Sequence, residues 1–249
     1  MVRLHVFTQF SEPLLWVWRD SSADARAVNA CEAQHKGNDV DGFRLFEALL
    51  DHQIQEPAHV QLHTRDWAWK DCAKNLPRTP GYRFPEDLWM SEGAARVVAE
   101  NPFTLRREKV RIHLITAKKY RGGKLFLWAP GRESRSISTD ESDEHGPVYD
   151  VLLNGSERHF FLFKFLSNDG AYEPEHANRL WTAQDGEEIW VHSHAPAIST
   201  ERPVKRPLIV HALQPETPAS PLLHLWQEDS DFVQTIAGEA RQDGWVRFE

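Results

Sequence analysis

With 249 residues and a formal net charge of -8, the chain is long enough for one large domain or for two smaller domains with a core each. The negative charge and the lack of a long Lys/Arg cluster argue against nucleic acid as a partner. No run approaches the roughly 20 apolar residues that span a bilayer, and residues 1–20 lack the basic start and apolar core of a signal peptide. We therefore expect no membrane partner.

Tryptophan is the unusual residue of this composition. Ten tryptophans occur beside only four tyrosines and two methionines, which is more indole than core filling normally requires. We therefore expect some of these rings to act at the surface. The two cysteines, Cys31 and Cys72, are too few for a disulfide framework, although a single bridge stays open.

The first predicted strand, VRLHVFT at residues 2–8, returns along the chain. Residues 110–116 read VRIHLIT and residues 208–213 read LIVHAL, a period of about 100 residues that indicates repeated structural units. One histidine of each copy falls in register: His5, His113 and His211. We expect these histidines to make a repeated hydrogen bond at a strand end rather than to act in catalysis.

The later predicted strands follow in the same order in each copy. The second reads LLWVW, LFLW and LLHLW, starting at Leu14, Leu125 and Leu222, and a third alternating segment follows a glycine turn near Gly42, Gly146 and Gly244. Two copies continue with strands at 58–63 and 158–165 and close with strands at 95–101 and 187–193. The third copy stops before these two strands. Residues 131–146 read as a polar surface loop.

Short alternating strands, 15 prolines, 13 glycines and no sustained helical period predict an all-β chain of tandem immunoglobulin-like β-sandwich modules. We place the first module at 1–105, the second at 106–201, and a linker with a partial third module at 202–249. A half sandwich leaves an open sheet edge. We therefore expect a longer protein, or docking of these last strands on a neighbouring module or another chain.

Trp16 and Trp18 lie two residues apart on a predicted strand, so they project from the same face about 6.5 to 7 Å apart. Leu15 and Val17 then supply the buried face. Pyranose rings carry apolar C–H faces that pack on indole, and this spacing suits consecutive sugars. The alternative is that one or both rings fill the core.

A polar segment, RDWAWKDCAKN at residues 65–75, places another tryptophan beside charged residues. Trp67 is suited to add a stacking surface, while Lys70 and Asp71 are suited to hydrogen-bond sugar hydroxyls. The alternative is a loop that folds back and buries one tryptophan.

The order of a histidine strand, a W-x-W strand and a W-x-x-K-D loop resembles carbohydrate-binding module family 41, the α-glucan modules attached to bacterial pullulanases. The resemblance covers most of residues 1–105, with departures at Trp69 and at residues 76–84. It implies a binding site made of five residues: Trp16, Trp18, Trp67, Lys70 and Asp71.

The second copy carries a different set of side chains. Its strand pair is Phe126 and Trp128, and residues 163–181 are similar to the K…(W/Y)-E…N-R segment of starch-binding domains of family 20. That resemblance implies Lys164, Tyr172, Glu173 and Asn178 as sugar-binding residues. The third copy keeps Trp226 with His224 in the first ring position, whereas Trp181 and Trp190 fit core packing as well as binding.

These features predict non-catalytic binding of α-1,4-glucans such as starch, glycogen and maltooligosaccharides by tandem modules. By resemblance, the modules target a covalently linked glucan-active enzyme that we expect beyond residue 249. No nucleophile elbow, phosphate loop or dinucleotide fingerprint is present. Neither His192 with His194 nor the acidic residues at 140–144 have a convincing metal-ligand pattern. We expect no catalytic residue, cofactor or metal.

The rival interpretation is a tandem immunoglobulin-like adhesion or structural module, with its tryptophans at protein interfaces. The compartment also stays open. A secreted or cell-surface location follows if the chain is attached to a pullulanase, and a cytoplasmic location follows if Met1 is the native start.

Overall fold

The computed structural model describes residues 1–19, 28–50, 57–78, 83–116, 123–129, 133–166, 170–173, 178–193, 195–204, 210–213, 222–226, 233–237, 239–240 and 245–248. These residues form strands and three short 3-10 helices, with no α-helix among them. The predicted all-β class is therefore confirmed. Within the described ranges, no helix has the length and hydropathy needed to cross a membrane.

The first copy of the repeat contains eight strands in two facing sheets. They are β1 (Val2–Phe7), β2 (Leu14–Arg19), β3 (Val28–Glu32), β4 (Gln34–Asn38), β5 (Arg44–Ala48), β6 (Ala58–His63), β7 (Lys74–Asn75) and β8 (Asp87–Ser91). One sheet has the order β4-β5-β1-β8 and the other β3-β2-β6-β7. Because alternate residues point inward, Val2, Leu4 and Val6 of β1 meet Leu15 and Val17 of β2 in one apolar core.

The second copy repeats this arrangement over strands β9 to β16. They are β9 (Lys109–Ile115), β10 (Lys124–Trp128), β11 (Arg135–Ser138), β12 (Val148–Leu152), β13 (Phe160–Leu166), β14 (Tyr172–Glu173), β15 (Arg179–Thr182) and β16 (Glu188–His192). The 3-10 helices are Pro102–Thr104, Gly155–Arg158 and Ala183–Asp185. Strand β9 lies between antiparallel β12 and parallel β16, as β1 lies between β5 and β8. Strands β11, β10 and β13 form the facing sheet, in which β14 and β15 both pair with β13.

The described part of the third copy contains shorter pairings. Strand β17 (Val210–Leu213) pairs with β21 (Trp245–Phe248), which pairs with β20 (Glu239–Ala240). Strand β18 (Leu222–Trp226) pairs with β19 (Val233–Ala237). The β17–β21 and β18–β19 pairs match β1–β5 and β2–β3 of the first copy. The side chains of His211, His224 and Trp226 lie outside the described residues.

One strand prediction is wrong, and one loop prediction is wrong in part. The first copy closes with β8 at Asp87–Ser91 and not with residues 95–101, because Val98 only folds back to exchange two backbone hydrogen bonds of 2.8 Å with Trp89. The segment at 131–146 is not all loop, since it contains β11. The sequence of β11 is tolerated as a strand because only Ile137 packs on the core, while the polar Ser136 and Ser138 are exposed.

The histidine of the first copy lies on β1 between two carboxylates. His5 Nδ1 is 2.6 Å from Asp39 Oδ2, and His5 Nε2 is 3.0 Å from Asp87 Oδ1. Its ring stacks on Trp89 with 4.7 Å between centroids. Each ring nitrogen of His5 therefore lies within hydrogen-bonding distance of a carboxylate oxygen.

The second copy repeats this cluster on β9. His113 Nδ1 is 2.6 Å from Asp143 Oδ2 and Nε2 is 2.9 Å from Glu188 Oε1, while the ring stacks on Trp190 at 4.9 Å. The predicted repetition of the hydrogen bond is therefore confirmed for these two copies, although both histidines lie within a strand and not at its end. Burial raises the pKa of Asp143, but hydrogen bonds from the His145 backbone and from His113 outweigh it and hold that pKa below the ordinary 3.8.

The two copies pack against each other through a third apolar cluster. Its buried members come from both copies: Phe43, Ala94, Phe160, Leu162 and Leu180. Backbone hydrogen bonds extend the contact, since Ala95 N donates to Asn178 O at 2.7 Å and Asn178 N donates to Gly93 O at 2.9 Å. Gly93 has a φ of +74°, and a Cβ there would lie 2.8 Å from the Asn178 amide nitrogen. Glycine fits both the backbone conformation and the close approach.

Candidate functional site

The outer face of the β3-β2-β6-β7 sheet carries the tryptophan pair of the first copy. Leu15 and Val17 are fully buried, whereas Trp16 and Trp18 are half-buried on the opposite face. The predicted orientation of this strand is therefore confirmed. The core is filled by the aliphatic residues of β2, which leaves the two indoles to the outer face.

Residues of β6 complete this face beside the tryptophans. Gln61 lies directly opposite Trp16 and His59 directly opposite Trp18 in the antiparallel pairing. The His59 ring stacks on Trp18 with 5.4 Å between centroids. Gln61 Nε2 donates to Asp71 O at 2.7 Å, which fixes the amide beside the rings.

Trp67 extends the same surface from the loop after β6. Its side chain is 46% exposed, and its ring stands nearly perpendicular to Trp16, with 6.2 Å between centroids and an interplanar angle of 76°. On its other side Trp67 stacks on buried His63 at 3.7 Å and 9°. We call Trp16, Trp18, Gln61 and Trp67 the first platform.

The loop holds Trp67 in a backbone conformation that is costly for a tryptophan. Its φ is +58°, the left-handed region that favours glycine. Thr64 closes the loop, because Trp67 N donates to Thr64 O at 3.0 Å and Trp69 N donates to Thr64 Oγ1 at 3.2 Å. Asp66 Oδ1 accepts hydrogen bonds from Thr64 Oγ1 at 2.7 Å and from Ala68 N at 3.1 Å. The exposed indole is thus held by a local network.

The remaining loop residues divide between the surface and the interior. Trp69 turns inward and packs against Phe10 with 4.2 Å between centroids. Lys70 is exposed. Asp71 is buried, and its Oδ2 accepts from Lys74 Nζ at 2.6 Å and from Gly93 N at 2.9 Å. The structure therefore brings Trp67 to the strand tryptophans, and it turns the Asp71 carboxylate toward the protein interior.

The second copy has a corresponding platform on the β10–β13 sheet, made of Phe126, Trp128, Lys164 and Tyr172. Phe126 and Tyr172 are nearly perpendicular, with centroids 5.6 Å apart at 80°. Lys164 lies opposite Phe126 in the pairing of β10 with β13. Its Nζ is 4.0 Å from the Tyr172 ring centroid and 5.8 Å from that of Trp128, so the cation lies near two aromatic rings.

Two other residues implied by the resemblance lie apart from this second platform. Glu173 follows Tyr172 on β14 and is buried, and the Arg179 guanidinium donates to its carbonyl oxygen at 2.9 Å. Asn178 is placed at the contact between the copies, where its Nδ2 donates to Gly93 O at 3.0 Å. Both residues therefore make contacts within the chain.

The two platforms share one geometry although only one of their four side-chain positions has the same residue in both. A strand aromatic lies opposite a polar residue of the neighbouring strand, as Trp16 with Gln61 and Phe126 with Lys164. A second aromatic from the following segment stands at 76° or 80° to it, at 6.2 or 5.6 Å. Such a pair offers angled apolar faces with a hydrogen-bonding group between them, which suits reversible stacking of a ligand.

Three polar residues in and beside the first platform escape the motif-based prediction. His59, Gln61 and His63 alternate with Ala58, Val60 and Leu62 on β6, and these three apolar residues are buried. The alternation itself was the available signal, because the polar positions of a half-buried strand share the face opposite the core.

Comparison with known proteins gives limited similarity. No protein-family model matches the chain, and no curated protein matches it. A solved structure concerning alpha-glucan binding by a streptococcal virulence factor is similar over 80% of this chain and 95% of that chain, with 16% sequence identity and a TM-score of 0.31. A TM-score this low supports no argument about the function of this chain.

Proposed function

We propose that this chain binds α-1,4-glucan without catalysis, through the first and second platforms. The observation that carries the proposal is the nearly perpendicular aromatic pair that occurs in both copies. Different residues form this pair in each copy, Trp16 with Trp67 and Phe126 with Tyr172. Core packing does not require the arrangement, because the buried faces of β2 and β10 are filled by other residues.

The chemistry of an α-glucan fits these surfaces. Each glucose ring has an apolar C–H face that packs on an aromatic ring, and a curved chain presents successive rings at an angle. Gln61 of the first platform, Lys70 beside it and Lys164 of the second platform supply the few polar groups that orient hydroxyls. Asp71 then supports the first platform from within, because its carbonyl oxygen holds the Gln61 amide. Each platform alone is small and exposed, so we expect weak binding of short oligomers.

We further propose that the copies are modules with limits at 1–105, 106–201 and 202–249, joined to a glucan-active enzyme. Separate apolar cores within the first two copies support the first two limits. The resemblance to pullulanase-attached modules supports the enzyme. In such an arrangement, two platforms on one polypeptide raise the affinity for long or branched chains above that for a short oligomer, since the second contact is intramolecular. Starch and glycogen are the polymers that would show this gain.

Glycogen affinity gels and tryptophan fluorescence with maltoheptaose test the proposal. Trp16→Ala and Phe126→Ala should each weaken binding at their own platform by about tenfold or more, the loss typical of a truncated aromatic anchor. The double variant should lose retardation on glycogen. Leu49→Ala is the control, because Leu49 follows β5, is 82% exposed and lies outside both platforms.

A negative result in both measurements would reject the proposal. Migration of the unaltered chain that glycogen does not retard, together with no spectral change on adding maltoheptaose, would reject glucan binding. It would favour the rival interpretation, in which the exposed aromatics bind a protein.

A further inference from the structure

A cleft of about 300 Å³ lies between the two copies, beside the second platform. The first copy lines it with residues 7–9 at the end of β1 and with residues 91–92 after β8. The second copy contributes Trp128, Ala129 and Leu162. The volume lies at the lower end of the range of small-molecule sites. Neither platform includes the residues that the first copy contributes here.

The cleft is continuous with the second platform through Trp128. This ring belongs to the platform and also lines the cleft, and Leu162 lies directly opposite it in the strand pairing. Phe7 forms an apolar wall of the cleft on the side of the first copy. Its ring makes edge contacts with Phe43 and Phe160, with 5.7 Å and 6.3 Å between ring centroids. An apolar floor with an aromatic ring at one side suits the C–H face of a pyranose.

Polar groups of the first copy line the same cleft in a fixed arrangement. Glu92 Oε2 accepts hydrogen bonds from Thr8 Oγ1 at 2.7 Å and from Gln9 N at 3.1 Å, and Glu92 N donates to Phe7 O at 2.8 Å. Among the described residues, both hydrogen bonds to this carboxylate use Oε2, which leaves Oε1 for a hydroxyl. Gln9 is exposed, so its side-chain amide is accessible to a ligand in the cleft.

We propose that this cleft is an additional sugar subsite, in which Gln9 and Glu92 of the first copy bind hydroxyls of the glucose residue next to the one stacked on the second platform. The proposal rests on the proposed function and deepens it. The second binding site is then composite: its aromatic rings come from the second copy, and part of its hydrogen bonding comes from the first. A chain bound there contacts both copies at once.

Calorimetric titration with maltoheptaose tests the subsite in a chain whose first platform is removed by Trp16→Ala and Trp67→Ala. In that background, Gln9→Ala should weaken binding by about threefold to tenfold, the value of one hydrogen bond. Glu92→Gln should have a similar effect, since it keeps an acceptor for Thr8 and replaces the other oxygen by a donor. Gln34→Ala is the matched control, an exposed glutamine on β4 that does not line the cleft. It should leave the affinity unchanged.

The same three substitutions in the otherwise unaltered chain provide a second measurement, in which Gln9→Ala and Glu92→Gln should weaken only one of two binding events. If neither substitution changes the affinity while Phe126→Ala removes the remaining binding, the subsite is rejected and glucan binding by the platform stands. If the unaltered chain releases no heat with maltoheptaose, the proposed function fails and the subsite fails with it.

Discussion

Trp67 combines an exposed ring with a backbone conformation that costs a residue with a side chain about 1 to 2 kcal/mol. The cost is offset by the hydrogen bonds of Thr64 and Asp66 and by the stack on His63, whose Nδ1 donates to Thr64 O at 2.8 Å. Residues held in such conformations cluster at ligand clamps. Here the network holds an indole at the edge of the first platform.

Two substitutions of Trp67 should affect sugar binding alike and stability differently. Trp67→Gly and Trp67→Ala both remove the ring, so both should weaken maltoheptaose binding at the first platform. Only glycine relieves the left-handed strain, and the free energy of unfolding of the Gly variant should exceed that of the Ala variant by about 1 kcal/mol. Urea denaturation followed by circular dichroism measures the difference. Equal stabilities would show that the backbone is not strained there.

Single residues also show the limit of motif-based prediction. The positions of Trp16, Trp18 and Trp67 follow from strand alternation and from the polar context of the loop. The burial of Asp71 does not, because it depends on Lys74 and Gly93, which only the folded chain brings to its carboxylate. A charged residue beside an exposed tryptophan in sequence can still point inward when a buried cation pairs with it.

Among the strands, β1 and β9 carry the most similar chemistry in the two copies. Each places a histidine between a carboxylate from the turn before the third repeated segment and an acid at the start of the closing strand. A tryptophan of that closing strand stacks on the histidine. Within each copy, the hydrogen bonds between the histidine and these carboxylates link the central strand, β1 or β9, to the turn and to the closing strand.

This cluster predicts a stability that falls in acid. The pKa of Asp143 is lower in the folded chain than its ordinary 3.8, so protonation favours the unfolded chain. The contribution is therefore complete well above pH 4 and is lost as the pH falls through the folded pKa. Asp143→Asn keeps Oδ1 as an acceptor for the backbone N–H groups of His145 and Gly146, and it replaces the charged acceptor that faces His113 by a neutral NH2 group.

The Asp143→Asn variant should be about 2 kcal/mol less stable than the unaltered chain at pH 7, the scale of a hydrogen bond to a charged group. The gap should narrow when both proteins are denatured with urea near pH 3. A gap that is the same at both pH values would show that the charge of Asp143 does not contribute.

The closing strand of the first copy, β8, was predictable from its sequence match to the closing strand of the second copy, β16. Residues 95–101 alternate as a strand does, but Val98 pairs only locally with Trp89. The sequence DLWMS of β8 matches EIWVH of β16 in an acid, an aliphatic residue and a tryptophan. Aligning the tryptophans would have located β8. The polar strand β11 had no such signal, because its position depends on its pairing with β10.

At the scale of the molecule, the first two copies form one packed unit through the apolar cluster between them. Phe160 is at its centre, with ring contacts to Phe43 at 5.9 Å and Phe103 at 5.6 Å. Arg96 adds polar contacts, with Nε donating to Leu180 O at 3.0 Å and NH2 paired with Asp185. The period of the repeat predicts two complete copies and a partial third, but it does not predict which faces meet, since Phe43 and Phe160 also fit the interiors of their own copies.

Removal of the central ring should weaken this contact. Phe160→Ala should lower the free energy of unfolding by about 3 kcal/mol, the usual cost of a buried phenylalanine, and separate the melting of the two copies in calorimetry. Phe160→Leu keeps most of the volume and should cost less than about 1.5 kcal/mol. Equal, small losses in both variants would mean that the cluster does not couple the copies.

The proposed function assigns two glucan-binding platforms to one chain. Isothermal titration of the unaltered chain with maltoheptaose measures this directly as the number of sites. The expected result is two sites in the unaltered chain, one of them weakened about tenfold in Trp16→Ala, the other in Phe126→Ala, and both in the double variant. A chain that releases no heat, or a double variant that binds as the unaltered chain does, would contradict the claim.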